Sequence, residues 1–254
     1  MKKIKISIAV VVIAVAALGS FLLLHSKNTP ATQPLKKVEG GTVTKPVSQV
    51  TQTSPARSSF DKTKYSLSDP TSIWVVVNKT RPFSPLSYVP ADLVAVGGGQ
   101  QMRSDAAAAL KRAITDAKTA GLAIAPLSGY RSYNTQTSVY ANEVKTNGQK
   151  IADSESARPG YSEHQTGLAV DVGGGGCGIE DCFGATSEGK WIYANAYEYG
   201  FILRYPADKV AITGYRNEAW HFRYIGKDLA LEMHSEGVET LEEFFGLPAA
   251  PDYK

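Results

Sequence analysis

Two short segments hold the groups in this chain best suited to chemistry. They are Ser162-Glu163-His164-Gln165-Thr166-Gly167-Leu168-Ala169-Val170-Asp171 and, about fifty residues later, Glu218-Ala219-Trp220-His221. Together they offer two imidazoles, a carboxylate and a further glutamate. A catalytic zinc site asks for three protein ligands, an open position for water, and a base to take the water's proton. If the two segments converge in space, the chain has the parts of a metal-dependent hydrolase.

Each residue also has a plainer reading. A single histidine is more often a hydrogen-bonded structural residue, and a glutamate at a strand end is usually on the surface. Beyond His25 only His164, His221 and His234 remain. The first two each stand beside a suitable carboxylate in a Gly- or aromatic-framed segment, which favours chemistry. His234, beside Glu232 and Ser235, is expected to have a surface or capping role. Glu218 is either a surface residue or a general base. In a regular strand residues three apart face opposite sides. Glu218 and His221 can therefore share a site only if the chain bends or bulges at Glu218, or if the strand starts after it. Arg131, in Ser128-Gly129-Tyr130-Arg131-Ser132, is either a loop arginine or a guanidinium for a substrate carboxylate or an oxyanion.

The elements that must position these groups follow from periodicity. Ser104 and Asp105 are placed to cap a helix over 106–120 that ends at Gly121. Residues 122–127 suit a short buried strand leading into the Arg131 loop, and a second helix is expected over 135–144. In 167–172, Leu168, Val170 and Val172 point one way and Ala169 and Asp171 the other. A helix over 190–199 ends at Gly200, before a strand over 201–205. In 219–224, Trp220, Phe222 and Tyr224 share one face and Ala219, His221 and Arg223 the other. Helices over 227–235 and 239–245 close the chain. Without a regular βαβ rhythm, the expected class is α+β with a small, mainly antiparallel sheet flanked by helices.

The ends set the context. After Met1-Lys2-Lys3-Ile4-Lys5, residues 6–24 carry no charge, enough for one membrane-spanning helix with the lysines on the cytoplasmic side. Phe21-Leu22-Leu23-Leu24 follows the small residues that could serve signal cleavage, so 1–25 reads as an uncleaved anchor rather than a signal peptide. Residues 26–59, rich in Thr, Pro, Lys, Gln and Ser and without an aromatic, read as a flexible tether. Residues 60–254 suit one domain, expected to be a monomer outside the membrane, in the cell wall or periplasm. The net charge of +3 gives no argument for nucleic acid. Cys177 and Cys182 are expected to form a local disulfide, since two thiolates alone cannot complete a tetrahedral metal site.

In order and spacing, Ser128–Ser132, Pro159–Asp171 and Glu218-Ala219-Trp220-His221-Phe222-Arg223-Tyr224 resemble the VanY family. These are zinc D-alanyl-D-alanine carboxypeptidases, related to the L,D-carboxypeptidases of peptidoglycan maturation. The resemblance covers about 65–246 and implies a small antiparallel sheet with the metal in a central groove. It implies one Zn2+ held by His164, Asp171 and His221, with Glu218 as catalytic base and Arg131 orienting substrate or stabilising the transition state. It further implies contact of Gln136 and Ser162 with the terminal carboxylate of a peptidoglycan stem peptide. Ala219 departs from the family's usual proline, which bears on the local rigidity that aims Glu218. The expectation is thus a membrane-anchored zinc peptidase that removes C-terminal D-alanine, as a D,D-carboxypeptidase. The alternatives are an L,D-carboxypeptidase, an endopeptidase on the same polymer, and a non-catalytic wall-binding module.

Overall fold

The alanine-rich run after Arg103 folds as a helix, and the short apolar segments that follow pair into a sheet against it. A computed structural model of the protein describes residues 60–254; the anchor expected over 1–25 and the tether over 26–59 lie outside the described residues. Among the described residues no helix is long and apolar enough to cross a membrane.

The first regular element is an antiparallel hairpin, β1 (Leu93–Gly97) and β2 (Gln100–Arg103). Periodicity does not announce it, because Gln100 and Gln101 are polar. Its turn instead relies on Gly97, Gly98 and Gly99, all at positive φ. Helix α1 (Ser104–Thr119) follows at once. Contrary to expectation, Ser104 and Asp105 do not cap it: Arg103 is the N-cap residue and makes no side-chain cap bond. The strand is the reason. β2 runs through Arg103, whose N–H donates to the Gly167 carbonyl at 2.8 Å, so the cap position falls to an arginine, which has no acceptor to offer. Asp105 falls in the first helical turn, where its charge meets the positive end of the helix dipole.

The site-bearing sheet has four strands, β3 (Ala125–Ser128), β4 (Ala169–Gly173), β5 (Phe201–Leu203) and β6 (His221–Tyr224), in the order β3-β4-β6-β5. All neighbours are antiparallel. The buried strand expected over 122–127 is corrected to an edge strand beginning at Ala125, with Leu127 38% exposed. Pro126 has no N–H to give a second neighbour, which suits an edge. β4 is central and buried along its whole length.

Around the sheet lie α2 (Tyr133–Asn147), α3 (Gln149–Glu155), α4 (Ser187–Asn195), α5 (Val210–Thr213), α6 (Lys227–Glu236) and α7 (Leu241–Phe245). The Ser132 hydroxyl caps α2 by accepting from the Thr135 N–H. α4 gives way to a 3-10 turn over Ala196–Tyr199, and Gly200, at positive φ, ends it as expected. The main core packs Val170, Val172 and Phe222 from the sheet, with Leu168 just before β4, against Met102 and one face of α1 (Ala106, Ala109, Leu110). Each large apolar side chain buried there contributes about 1.5–3 kcal/mol. A second core joins Trp74 and Val76 to α6 and α7 through Leu229, Met233, Leu241 and Phe244. The α+β class with a small antiparallel sheet and flanking helices is therefore what the chain adopts.

Candidate metal centre

Asp171 and His221 are directly paired residues of β4 and β6. This register brings the two expected ligands together although fifty residues separate them. His164 arrives from a 3-10 turn over Glu163–Thr166, closed by Gly167 in the left-handed conformation. The Thr166 hydroxyl donates to the Glu163 carbonyl at 2.6 Å and accepts from the Leu168 N–H at 2.8 Å. That redirects the chain into β4, and the motif's spacing reflects this turn. Asp171, His164 and His221 are all buried and offer ligand atoms within 4.8 Å of one another.

The hydrogen bonds assign a role to each ring nitrogen. His164 Nδ1 lies 2.8 Å from the Gly129 carbonyl, which can only accept, so Nδ1 carries the proton. Gly129 itself packs closely on the Gln101 backbone, where a Cβ would collide with the Gln101 carbonyl. His164 Nε2 then presents its lone pair to Asp171 Oδ2 at 3.2 Å. Burial, foremost, keeps the His164 pKa below its ordinary value despite Asp171. A neutral imidazole lone pair facing a carboxylate oxygen is an arrangement that calls for a cation. Burial works against ionisation of Asp171, yet its carboxyl is held well below the usual range beside the His221 ring.

His221 Nδ1 lies 2.9 Å from Asp171 Oδ1. Burial disfavours its charge, but Asp171 and Glu163 overcome this and push its pKa up to about 9. Two imidazoles and a carboxylate are a donor set that fits zinc, and the paired lone pairs of His164 and Asp171 fit it in this structure. A metal ion requires His221 neutral, so binding at pH 7 is expected to release a proton. In the metal-free protein the charged ring's stabilisation is complete below its ordinary pKa of 6.5 and is lost as pH rises through about 9. Metal affinity should rise over the same interval. Calorimetric zinc titrations in two buffers of different ionisation enthalpy read the proton directly; equal heats would contradict the assignment.

Glu218 reaches the same place by a turn. The His221 N–H donates to the Glu218 carbonyl at 3.0 Å, and the Glu218 N–H to the Tyr205 carbonyl at 3.1 Å. β6 starts only at His221, which removes the parity conflict. The turn forms with Ala219 in place of the proline that the resemblance leads one to expect. Glu218 Oε2 is 3.7 Å from His221 Nδ1. Burial, with Asp171 adding to it, pushes the Glu218 carboxyl up to about 8 against the pull of His221, Arg216 and Arg131. A bound cation would draw that value down again.

Arg131 faces the same groove. Its guanidinium donates to Ser128 Oγ at 2.8 Å and to Gln136 Oε1 at 2.9 Å. Burial lowers its pKa, partly offset by Asp171 and Glu218, but a guanidinium stays charged. Gln136 is placed behind it rather than in the groove. The residue is fully buried, and its amide NH2 is used by Ala157 O at 2.6 Å and Ser156 Oγ at 3.3 Å. In this structure Gln136 thus holds Arg131. Ser162 does line the groove, which encloses about 270 Å3 with Tyr205, Trp220 and Arg216 among its walls. That is near the lower end of small-ligand clefts, roughly 300–1,000 Å3, and suits the end of a peptide.

Cys177 and Cys182 are joined in a disulfide as expected. Within their loop, Asp181 holds Arg216 at 3.1 Å on the groove wall. His234 is exposed on α6, stacked on Tyr197 with ring centres 3.6 Å apart. A larger cavity of about 340 Å3 adjoins it, lined by Tyr193, Met233 and Val238 and holding none of the site residues. The sequence reading missed Glu163, Arg204, Arg223 and Glu242, which form a buried ion cluster beside His221. The one signal was Arg204 inside the apolar run Phe201-Ile202-Leu203-Arg204-Tyr205.

Comparison with known proteins agrees with this geometry. Residues 99–227 match the family model VanY, D-alanyl-D-alanine carboxypeptidase. The YodJ protein of Bacillus subtilis (strain 168), named for a carboxypeptidase, is 42% identical over 190 residues, covering 70% of this chain and 69% of that protein. A structure of the LdcB LD-carboxypeptidase superposes with a TM-score of 0.65 at 42% identity, over 70% of this chain and 87% of the other. The vancomycin resistance D,D-pentapeptidase VanY in complex with Zn(II) superposes with a TM-score of 0.59 at 31% identity, over 67% and 97%. The chain belongs to the VanY family of D-alanyl-D-alanine carboxypeptidases.

Proposed function

We propose that this protein is a zinc carboxypeptidase that removes the C-terminal D-alanine of peptidoglycan stem peptides. One observation carries the reading: His164, Asp171 and His221 present their ligand atoms around one point, with Glu218 and Arg131 opening onto the same groove. Zinc held by those three residues would polarise the scissile carbonyl and acidify a bound water to near neutrality. Glu218 takes the proton of the attacking water and returns it to the leaving D-alanine nitrogen. Its carboxylate opens onto the groove beside the three candidate ligands, placed to accept that proton. Arg131, pinned by Ser128 and Gln136, supplies the cation that a free terminal carboxylate or a developing oxyanion requires. Ser162 offers a hydroxyl beside it.

Two bonds are candidates. The motif resemblance points to the D,D bond of the pentapeptide. The L,D bond of the tetrapeptide is favoured by a different observation: identity is 42% to the LD-carboxypeptidase structure and 31% to the D,D-pentapeptidase. D-alanine release from defined penta- and tetrapeptides, with chelator and with zinc restored, decides between them. Release is expected to stop on chelation and to return with zinc. Release from neither peptide by zinc-loaded protein would reject the enzymatic reading in favour of a wall-binding module. The uncharged run over residues 6–24 and the Cys177–Cys182 disulfide support a domain working outside the cytoplasmic membrane.

A further inference from the structure

Glu163 neighbours His164 in sequence, but its carboxylate serves other partners. Oε1 accepts from Arg204 Nε at 2.9 Å and from Arg223 Nη1 at 2.8 Å. Oε2 is buried without a hydrogen-bond partner. It lies 3.7 Å from His221 Nε2, which is also buried without one. Leaving two such atoms unpaired is costly, and each is the other's complement: an acceptor faces a ring nitrogen that can carry a proton. The separation is a little beyond hydrogen-bond range, as contacts of catalytic groups in unliganded proteins often are.

The carboxylate is held firmly in this position. Arg204 grips Glu242 with both terminal nitrogens, at 2.9 and 2.7 Å, and Asn78 Nδ2 donates to the same glutamate at 2.9 Å. Arg223 is fixed by the carbonyls of Ile73 at 3.2 Å and Val75 at 2.7 Å. Two arginines balance two glutamates, so the cluster is neutral and Glu163 can stay ionised when fully buried.

We propose that Glu163 is a positioning residue for His221: its Oε2 accepts the Nε2 proton, fixing the ring's tautomer and orientation and leaving Nδ1 as the donor toward the metal. Metal-binding histidines commonly give their other N–H to a carboxylate or carbonyl, and His164 has such a partner in Gly129 O. The inference rests on the zinc reading above.

The test uses the full protein and reads zinc affinity by competition with a chromogenic chelator, the visible spectrum of the cobalt-substituted form, and melting of the metal-free form. Glu163→Asp keeps the charge between the arginines but withdraws it from His221. It is expected to weaken zinc binding about 10- to 100-fold and to alter the cobalt spectrum. Glu242→Gln loosens the same cluster without touching His221. It should lower the melting temperature, leave zinc affinity within about twofold, and keep the cobalt spectrum. Unchanged affinity and spectrum in Glu163→Asp would overturn the proposal, as would equal losses of affinity in both variants. Nitrogen NMR of the zinc-loaded wild type gives an answer independent of variant folding: His221 should be protonated at Nε2 with slow exchange, and a ring protonated at Nδ1 refutes the role. Because zinc binding is read without peptide, wild type that binds zinc but releases no D-alanine fails only the carboxypeptidase reading. Wild type that binds no zinc fails both.

Discussion

Glu218→Ala is expected to lower kcat for D-alanine release by about 1,000-fold, within the roughly 10²–10⁴ that a positioned proton-transfer group contributes, while one zinc ion stays bound. The residue stands beside the ligand cluster rather than in it. Its carboxylate is 3.7 Å from His221 Nδ1, whereas Asp171 is at 2.9 Å. The substitution should also raise the melting temperature of the metal-free protein. The carboxyl's pKa is pushed from 4.5 up to about 8, with burial the leading cause. A raised carboxyl pKa means the folded state binds the proton more tightly than the unfolded state, so this group's cost begins above pH 4.5 and is complete above about 8. Removing it therefore stabilises most at alkaline pH, a trade of stability for activity common at active sites. Kinetics, zinc stoichiometry and melting curves from pH 5 to about 9 check all three parts. Retention of a tenth of the wild-type kcat, or loss of zinc, would show that Glu218 is not the base.

Asp171→Asn should abolish zinc binding at micromolar metal and reduce D-alanine release to background. This carboxylate contacts both imidazoles, at 3.2 Å to His164 Nε2 and 2.9 Å to His221 Nδ1, and is the only anion in the ligand trio. Asparagine keeps the shape and deletes the charge. In the metal-free protein it leaves His221 with Glu163 as its remaining close carboxylate on the buried side, and it leaves Arg131 with less compensation. Breaking a buried ion pair from one side costs about 3–5 kcal/mol, so the variant should melt well below wild type. Wild type gains stability from zinc by mass action; Asp171→Asn should show no zinc-dependent shift. If it binds zinc within tenfold of wild type, Asp171 is not a ligand.

Much of the site was legible before any coordinates. His164, Asp171 and His221 stood out by residue type in a region with few histidines. The alternation of Leu168, Val170 and Val172 against Asp171 correctly put the carboxylate on the opposite side from the core. The parity of residues three apart required a bend or bulge at Glu218 or a strand that starts after it, and β6 starts after it, at His221. These inferences succeed because backbone periodicity and turn chemistry act over a few residues and leave their mark in local order. Other features could not be read that way. The β1–β2 hairpin rests on glycine conformations and not on an apolar pattern. The N-cap position of α1 falls to Arg103 because β2 runs directly into the helix. Gln136, expected at the substrate, braces Arg131 because α2 places it against the carbonyl of Ala157.

By itself, then, the sequence picked out the candidate ligand trio and the adjacent glutamate, which the structure brings together, and it determined the α+β class and the local disulfide. Only the tertiary structure decided that Asp171 and His221 are direct cross-strand partners, that Glu163 turns toward His221 rather than solvent, and that Arg204 links it to Glu242. Each of those contacts joins groups some forty to sixty residues apart. No local pattern encodes them, because strand register and core packing choose the partner of a buried charge, and the cost of leaving that charge unpaired enforces the choice.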